Sequence, residues 1–144
     1  GNDMTKEGTC AVLIRQIHSE LEKNANNALR QDDLTLSQVN VLMELDKADG
    51  KQMELKQIER SLHVAQSTAA GIVRRLEQKG FVESFGDVED KRIKMIRITS
   101  QGLACCHKSK INMQKTESGL TSALTETEKA ILISLLQKVR GSFS

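Results

Sequence analysis

The chain has 144 residues, a formal net charge of +2 at pH 7, and no proline, tryptophan or tyrosine. This length is enough for one domain with a core, or for a small domain with an oligomerisation arm. The absence of proline favours helices. Because the net charge is small, a nucleic-acid surface can be recognised only by where the cations lie along the chain.

The cysteines and the apolar runs bear on the compartment. The three cysteines, Cys10, Cys105 and Cys106, are odd in number and two are adjacent, so they do not indicate a disulfide framework. No apolar run approaches the ~18–20 residues that cross a bilayer. The first residues also lack the basic and apolar regions of a secretory signal. We therefore expect a cytoplasmic protein without a membrane partner.

Two helices are predicted before residue 50. The first spans about residues 9–30, and its apolar residues recur at spacings of three or four: Cys10, Ile14, Ile17, Leu21, Ala25 and Ala28. This stripe packs either on the domain core or partly against a second subunit, and the C-terminal pattern described below favours the second subunit. The second helix, residues 35–48, starts with a capping box formed by Thr35 and Gln38 and stops at Gly50.

Residues 54–80 have the spacing of a helix-turn-helix. A helix over residues 54–61 is joined by a short link, residues 63–65, to a second helix that runs from residue 66 to residue 79. The second helix carries side chains that can bond to base edges or phosphates: Gln66, Ser67, Thr68, Arg74 and Arg75. The alternative is an ordinary solvated helix face.

A basic hairpin follows the helix-turn-helix. Strands are predicted over residues 81–85 and 93–99, with a turn over residues 86–92. Four positive charges fall within seven residues: Lys91, Arg92, Lys94 and Arg97. Such a hairpin is a wing, and its arginine suits a narrow minor groove, where the phosphate potential is strongest. The alternative is a charged tip kept soluble, which Glu89 and Asp90 support.

The C-terminal part is predicted to be helical. A fifth helix is capped by Thr99 and runs towards Ser118 with a weak apolar pattern. A sixth helix, residues 126–140, starts with a capping box of Thr125 and Glu128 and ends at Gly141. Its apolar stripe consists of Leu132, Leu135, Leu136 and Val139. This stripe and that of the first helix together predict a dimer interface.

These patterns give a mainly α fold with a small β-hairpin wing: a winged helix-turn-helix plus a helical dimerisation region. The predicted parts are residues 1–33 as an N-terminal dimerisation helix, residues 34–102 as the DNA-binding domain, and residues 103–144 as C-terminal dimerisation helices.

The order of elements and several short motifs resemble the MarR family of bacterial transcriptional regulators. The most specific match is in the wing, with Asp90-Lys91-Arg92 followed by Ile98-Thr99 and Gly102. Further matches are Ser67-Thr68, Arg75-Leu76-Glu77 and Gly80-Phe81-Val82-Glu83. Three positions depart from the usual family residues: Ala65, Gly71 and Ser84.

The resemblance implies roles for these residues and partners for the chain. Arg92 is expected to reach the minor groove, Asp90 to hold the wing, and the helix at residues 66–79 to enter the major groove. The outer helices are expected to form a homodimer on a pseudo-palindromic operator in double-stranded DNA. Many family members also bind a small aromatic or anionic effector between the dimerisation and DNA-binding parts. The expected function is therefore a sequence-specific transcriptional repressor.

Other chemistry is weakly indicated. The chain has no glycine-rich phosphate loop, no His-Glu-x-x-His pattern and no nucleophile elbow, so we expect neither an enzyme nor a cofactor. Adjacent residues on a helix point about 100° apart, so Cys105, Cys106 and His107 are not expected to share a metal ion. Two alternatives stay open: a thiol-based redox sensor that uses Cys10, and a winged-helix module for protein–protein contact.

Overall fold

The computed structural model describes residues 8–143. The elements along the chain are α1 (Cys10–Gln31), α2 (Leu36–Lys47), β1 (Gln52–Glu54), α3 (Leu55–Leu62), α4 (Gln66–Gln78), β2 (Val82–Gly86), β3 (Lys94–Ile98), α5 (Ser100–Leu120) and α6 (Glu126–Gly141). They form two compact units that divide between residues 111 and 112, within α5. Residues 1–7 and 144 of the predicted domains lie outside the described part.

The predicted helix boundaries follow local capping chemistry. Thr35 and Gln38 form the predicted capping box, in which the Gln38 amide donates to the Thr35 hydroxyl at 3.3 Å and the Thr35 amide donates to the Gln38 side chain at 3.2 Å. Thr125 and Glu128 repeat the arrangement at the start of α6. The prediction that Gly141 ends α6 is wrong by one residue, because Gly141 is the last residue of that helix and Ser142 caps it.

The wing is larger than the predicted hairpin. It is a three-stranded antiparallel sheet in the order β1-β3-β2, with Met53 paired to Ile96 on one side and Ser84 paired to Ile96 on the other. β1 was not predicted, because three residues are too few to show the alternation of a strand. The extra strand covers one edge of β3 and ties the wing to the start of α3.

The core of the first unit lies between α2, α3, α4 and β3. Its largest fully buried side chains come from these four elements and, through Cys106, from α5: Val41, Leu42, Leu45, Ile58, Val73, Leu76, Ile96 and Cys106. The helix stripes predicted for α2 and α4 supply most of them. Their burial turns the opposite face of α4 outward, and this orientation is what exposes the predicted DNA-binding residues.

The start of α5 is held against the turn between α4 and β2 by Thr99 and Gly102. The Thr99 hydroxyl donates to the Gly80 carbonyl at 2.6 Å and accepts from the Gly102 amide at 3.1 Å, as expected of an N-cap. A Cβ on Gly102 would overlap the carbonyl oxygen of Phe81, so a glycine is required there. Two ion pairs lie further along α5.

These ion pairs join α5 to α2 and to the segment that precedes α2. Asp46 on α2 accepts from Lys110 at 2.5 Å and from Lys51 at 2.9 Å. These hydrogen bonds lower the pKa of Asp46 from 3.8 to about 2. Lys108 donates to Asp32 at 2.7 Å, and this bond raises the pKa of Lys108.

Two helices leave apolar side chains uncovered in the single chain. In the first unit, α1 has no buried residue, and Leu13, Ile14 and Ile17 are each more than two-fifths exposed. In the second unit, the predicted stripe of α6 is between 36% and 52% exposed: Leu132, Leu135, Leu136 and Val139. Within residues 8–143, no helix is long and apolar enough to cross a bilayer.

Candidate nucleic-acid interface

All eight residues predicted to contact DNA are exposed. Five lie on α4 and three on the wing: Gln66, Ser67, Thr68, Arg74, Arg75, Lys91, Arg92 and Lys94. The position of α4 is set by the turn before it, where His63 adopts the left-handed conformation with φ of 55° and ends α3. Ala65 precedes α4 and offers no side-chain acceptor, so the first amides of α4 remain available to a phosphate.

The wing tip is built around two aspartates. The Asp87 carboxylate accepts from the amides of Glu89 and Asp90, each at 3.1 Å, and so holds the turn. Asp90 then grips Arg92: it accepts from the Arg92 amide at 3.1 Å and from the guanidinium at 3.0 Å (Nε) and 3.1 Å (Nη2). The family resemblance implied the wing-holding role for Asp90 alone, because Asp87 lies outside the motif that carries the resemblance.

The Asp90–Arg92 pair leaves the arginine directed into solvent. The Arg92 side chain is 91% exposed. A guanidinium has five N–H donors, and Asp90 engages two of them, so three remain for an external acceptor. The same hydrogen bonds lower the pKa of Asp90 and raise that of Arg92, so both groups stay charged at neutral pH.

Arg97 behaves differently from the other cations of the hairpin. It lies directly across from Glu83 in the β2–β3 register and pairs with it at 2.8 Å. Its guanidinium also lies over the ring of Phe85, 4.6 Å from the centroid. Arg97 is therefore engaged within the sheet, which leaves Lys91, Arg92 and Lys94 as the outward cations of the wing.

The wing and the start of α4 line one cleft of about 610 Å³. Gln66, Arg92 and Lys94 lie on its walls, together with two cations that the sequence reading did not include, Lys56 and Arg60 of α3. Their spacing of four residues on one short helix indicates that the two cations share one face, and this pattern could have identified them from the sequence. The cleft thus gathers four cations from α3 and the wing beside the first residue of α4. Ser67, Thr68 and Arg74 are exposed on α4 outside it.

One carboxylate stands out among these cations. Glu59 lines the same cleft, and its buried Oε1 has no hydrogen-bond partner among the residues that the structure describes. An unpaired buried oxygen is costly, which makes Glu59 the least satisfied group of this surface.

Arg75 faces a second cleft, of about 690 Å³, between the end of α1, the start of α2 and the end of α4. Arg30 and Lys79 also line it, over the apolar side chains of Leu29 and Leu34. The Lys79 ammonium donates to the carbonyl of Asp33 and, at 3.2 Å, to the Gln38 side chain.

The cysteines differ in environment. Cys106 is buried and Cys105 half-buried, and burial raises the pKa of both thiols. Cys10 is exposed at the first turn of α1. No group of three or more His, Cys, Asp or Glu side chains converges within residues 8–143.

Comparisons with known proteins assign the fold to a family. The MarR family model matches residues 34–94, which span α2 to the start of β3. The multiple antibiotic resistance protein MarR of Escherichia coli (strain K12) is 31% identical over 129 residues, covering 88% of each chain. The chain belongs to the MarR family. The predicted family is thereby confirmed.

Solved structures of MarR-family proteins extend the likeness to almost the whole chain. A mutant of S. aureus MepR has a TM-score of 0.86 at 26% identity and covers 94% of this chain and 99% of its own. Another MepR mutant, bound to an oligodeoxyribonucleotide, has a TM-score of 0.75 at 28% identity and covers 96% of this chain and 100% of its own. The predicted winged-helix fold is confirmed, and this MarR-family protein is a DNA-binding transcriptional regulator.

Proposed function

We propose that the protein is a sequence-specific repressor that acts as a homodimer on a pseudo-palindromic operator. The observation that carries this proposal is the exposed Arg92, held by Asp90 with three free donors beside the start of α4. In this arrangement α4 enters the major groove, and Gln66, Ser67 and Thr68 meet base edges or phosphates. Arg92 reaches the neighbouring minor groove, while Lys91 and Lys94 meet its phosphates.

The proposed interface also includes Lys56 and Arg60. Both line the cleft between the wing and α4, where the phosphate backbone would run between the two grooves. Cations that neutralise phosphates supply affinity that does not depend on sequence. Specificity is then left to the side chains of α4 that touch bases.

Dimer formation is supported by the uncovered apolar stripes of α1 and α6. Stripes of this exposure need a covering surface, and a second copy of the chain supplies one with twofold symmetry. Two DNA-binding units in one dimer read two half-sites, which is why the operator is proposed to be a pseudo-palindrome.

Release by a small effector is supported by the cleft between α1, α2 and α4. The cleft combines the cations Arg30 and Lys79 with apolar walls, which suits an aromatic anion. Arg75 lines the same cleft and is also proposed to contact DNA. An anion bound there would therefore compete with phosphate for Arg75, and operator affinity would fall.

The direct test is a titration of labelled DNA followed by fluorescence anisotropy. DNA from upstream of the protein's own gene is compared with a scrambled duplex of equal length at KCl concentrations from about 50 to 200 mM. Specific binding should exceed binding to the scrambled duplex by about 10³-fold or more, and both should weaken steeply with salt. Equal and salt-independent binding to the two duplexes would instead favour the protein–protein module.

Two additions to this titration separate the regulatory readings. Benzoate should release the operator from the wild type, whereas neutral benzamide should not, and Arg30→Ala should keep operator affinity but lose the benzoate response. Hydrogen peroxide tests the thiol-sensing alternative, because a response that disappears in Cys10→Ser would assign regulation to that exposed thiol.

A further inference from the structure

Gly71 lies in the middle of α4, on the face proposed to meet DNA. It is partly exposed and lies four residues after Ser67 and three before Arg74, so all three share one side of the helix. Glycine weakens a helix interior relative to alanine, because it has more backbone freedom to lose. A glycine at this position therefore calls for a reason.

The folded chain does not supply that reason. A Cβ built on Gly71 meets no atom within 4 Å, so the residue's own surroundings accept a side chain. The other glycines of residues 8–111 are each explained by the backbone. Gly8, Gly50 and Gly80 have positive φ. A Cβ added to Gly86 would lie 3.0 Å from the carbonyl oxygen of Lys91, and a Cβ added to Gly102 would overlap the carbonyl oxygen of Phe81. Within residues 8–111, Gly71 is therefore the glycine that the fold itself does not require.

We infer that Gly71 is a specificity-determining residue, whose bare Cα gives space to the 5-methyl group of one thymine in each operator half-site. This inference rests on the proposed DNA-binding function. A recognition helix inserted in the major groove meets thymine methyls there, and small apolar surface is what packs against them. A side chain at residue 71 would occupy the volume that the methyl needs, whereas the flanking Ser67 and Arg74 remain free to bond.

The test combines a protein variant with a base analogue that lacks the methyl group. The operator half-site is scanned by replacing each thymine in turn with deoxyuridine, and affinities are measured for the wild type and for Gly71→Ala. For the wild type, one thymine per half-site should matter, with a loss of about five- to tenfold on replacement. Gly71→Ala should bind the normal operator about five- to tenfold more weakly, and deoxyuridine at that same thymine should restore its affinity.

The stability of the free protein should move in the opposite direction. Gly71→Ala should raise Tm by about 2–4 °C, because it removes a helix-interior glycine without a clash. Gly119→Ala on α5 is the matched control, since a Cβ there also meets nothing within 4 Å; it should leave the deoxyuridine profile unchanged. Gly71→Leu, with a larger side chain, should weaken operator binding further.

Three results separate this inference from the proposed function. If the wild type shows no preference for the operator over scrambled DNA, the proposed function fails. If the wild type binds specifically but Gly71→Ala and Gly71→Leu bind equally well, the role of Gly71 is overturned. The same conclusion follows if Gly71→Ala loses affinity equally for the thymine and deoxyuridine operators at every position.

Discussion

Arg92 and Arg97 carry the same charge on the same hairpin, five residues apart, yet the structure gives them different roles. Arg92 is 91% exposed with three free donors, whereas Arg97 is 45% exposed, paired with Glu83 and stacked over Phe85. Arg92→Ala and Arg97→Ala therefore remove equal charge from one wing. Only the first is expected to remove a DNA contact.

The expected magnitude follows from the two wings of the proposed dimer. If each Arg92 contact stabilises the complex by ~1 kcal/mol, losing both costs ~2 kcal/mol, or about 30-fold in affinity. If each Arg92 also neutralises one phosphate at the edge of the minor groove, its loss makes the slope of log affinity against log salt shallower by about 0.9 per wing, or about 1.8 for the proposed dimer. Arg97→Ala should change affinity by less than about threefold and should leave the slope unaltered, because its guanidinium is held within the sheet by Glu83 and Phe85 and is not expected to contact a phosphate.

Anisotropy titrations at several salt concentrations measure both quantities, and size-exclusion chromatography with light scattering checks that each variant remains a dimer. The thermal midpoint gives the opposite ranking: Arg97→Ala should lower Tm by a few degrees because it loses an ion pair and a ring contact. Arg92→Ala should leave Tm unchanged. Equal losses of DNA affinity in the two variants would show that the wing acts by charge alone and that the Asp90 grip is irrelevant.

Three further predictions concern assembly and stability. Truncation after Ser118 removes α6 and should give monomers by light scattering, and a truncated chain that remains a dimer would contradict the proposed interface. Asp46→Asn should lower the free energy of unfolding by about 1 kcal/mol at neutral pH, since its lysine partners are half-exposed. The pKa of Asp46 is about 2 in the folded chain and 3.8 ordinarily, so this difference between wild type and variant should be complete above about pH 4 and should disappear as the pH falls through about 2. Denaturant titrations at several pH values measure it. Gly102→Ala should cost at least ~2 kcal/mol by the same titrations, because its Cβ would overlap a backbone carbonyl; a near-neutral result would mean that the start of α5 shifts freely.

The parts of this fold that sequence reasoning found are those set by neighbours along the chain. Helix starts depended on residues three apart, such as Thr35 and Gln38, and the wing was visible because its charges are consecutive. β1 was missed because a three-residue strand exists only through its pairing with β3, about 40 residues later. The residues Gln52-Met53-Glu54 show no local pattern that predicts their pairing with β3.

The sequence predicted only part of the candidate DNA interface, because the remaining part depends on residues that are distant along the chain. Lys56 and Arg60 lie more than 30 residues before Arg92 and Lys94 in sequence, so their place in the shared cleft depends on tertiary packing. Arg97 was counted among the four positive charges of the hairpin but not among the predicted DNA-binding residues, and the strand register that places Glu83 across from it was not considered. Gly71 appeared in the sequence only as a departure from family usage, and the open space around its Cα came from the structure.

The hydrogen bonds between Asp90 and Arg92 should also affect how strongly the protein binds non-specific DNA. An arginine side chain normally loses rotamer entropy when it binds in a groove. Because Asp90 already restricts the Arg92 side chain in the free protein, part of this entropy is lost before DNA binds. The neighbouring negative charge simultaneously weakens attraction to arbitrary stretches of phosphate. We therefore expect such a wing to dissociate sooner from non-specific DNA, so that the proposed dimer spends more of its time sampling new sites.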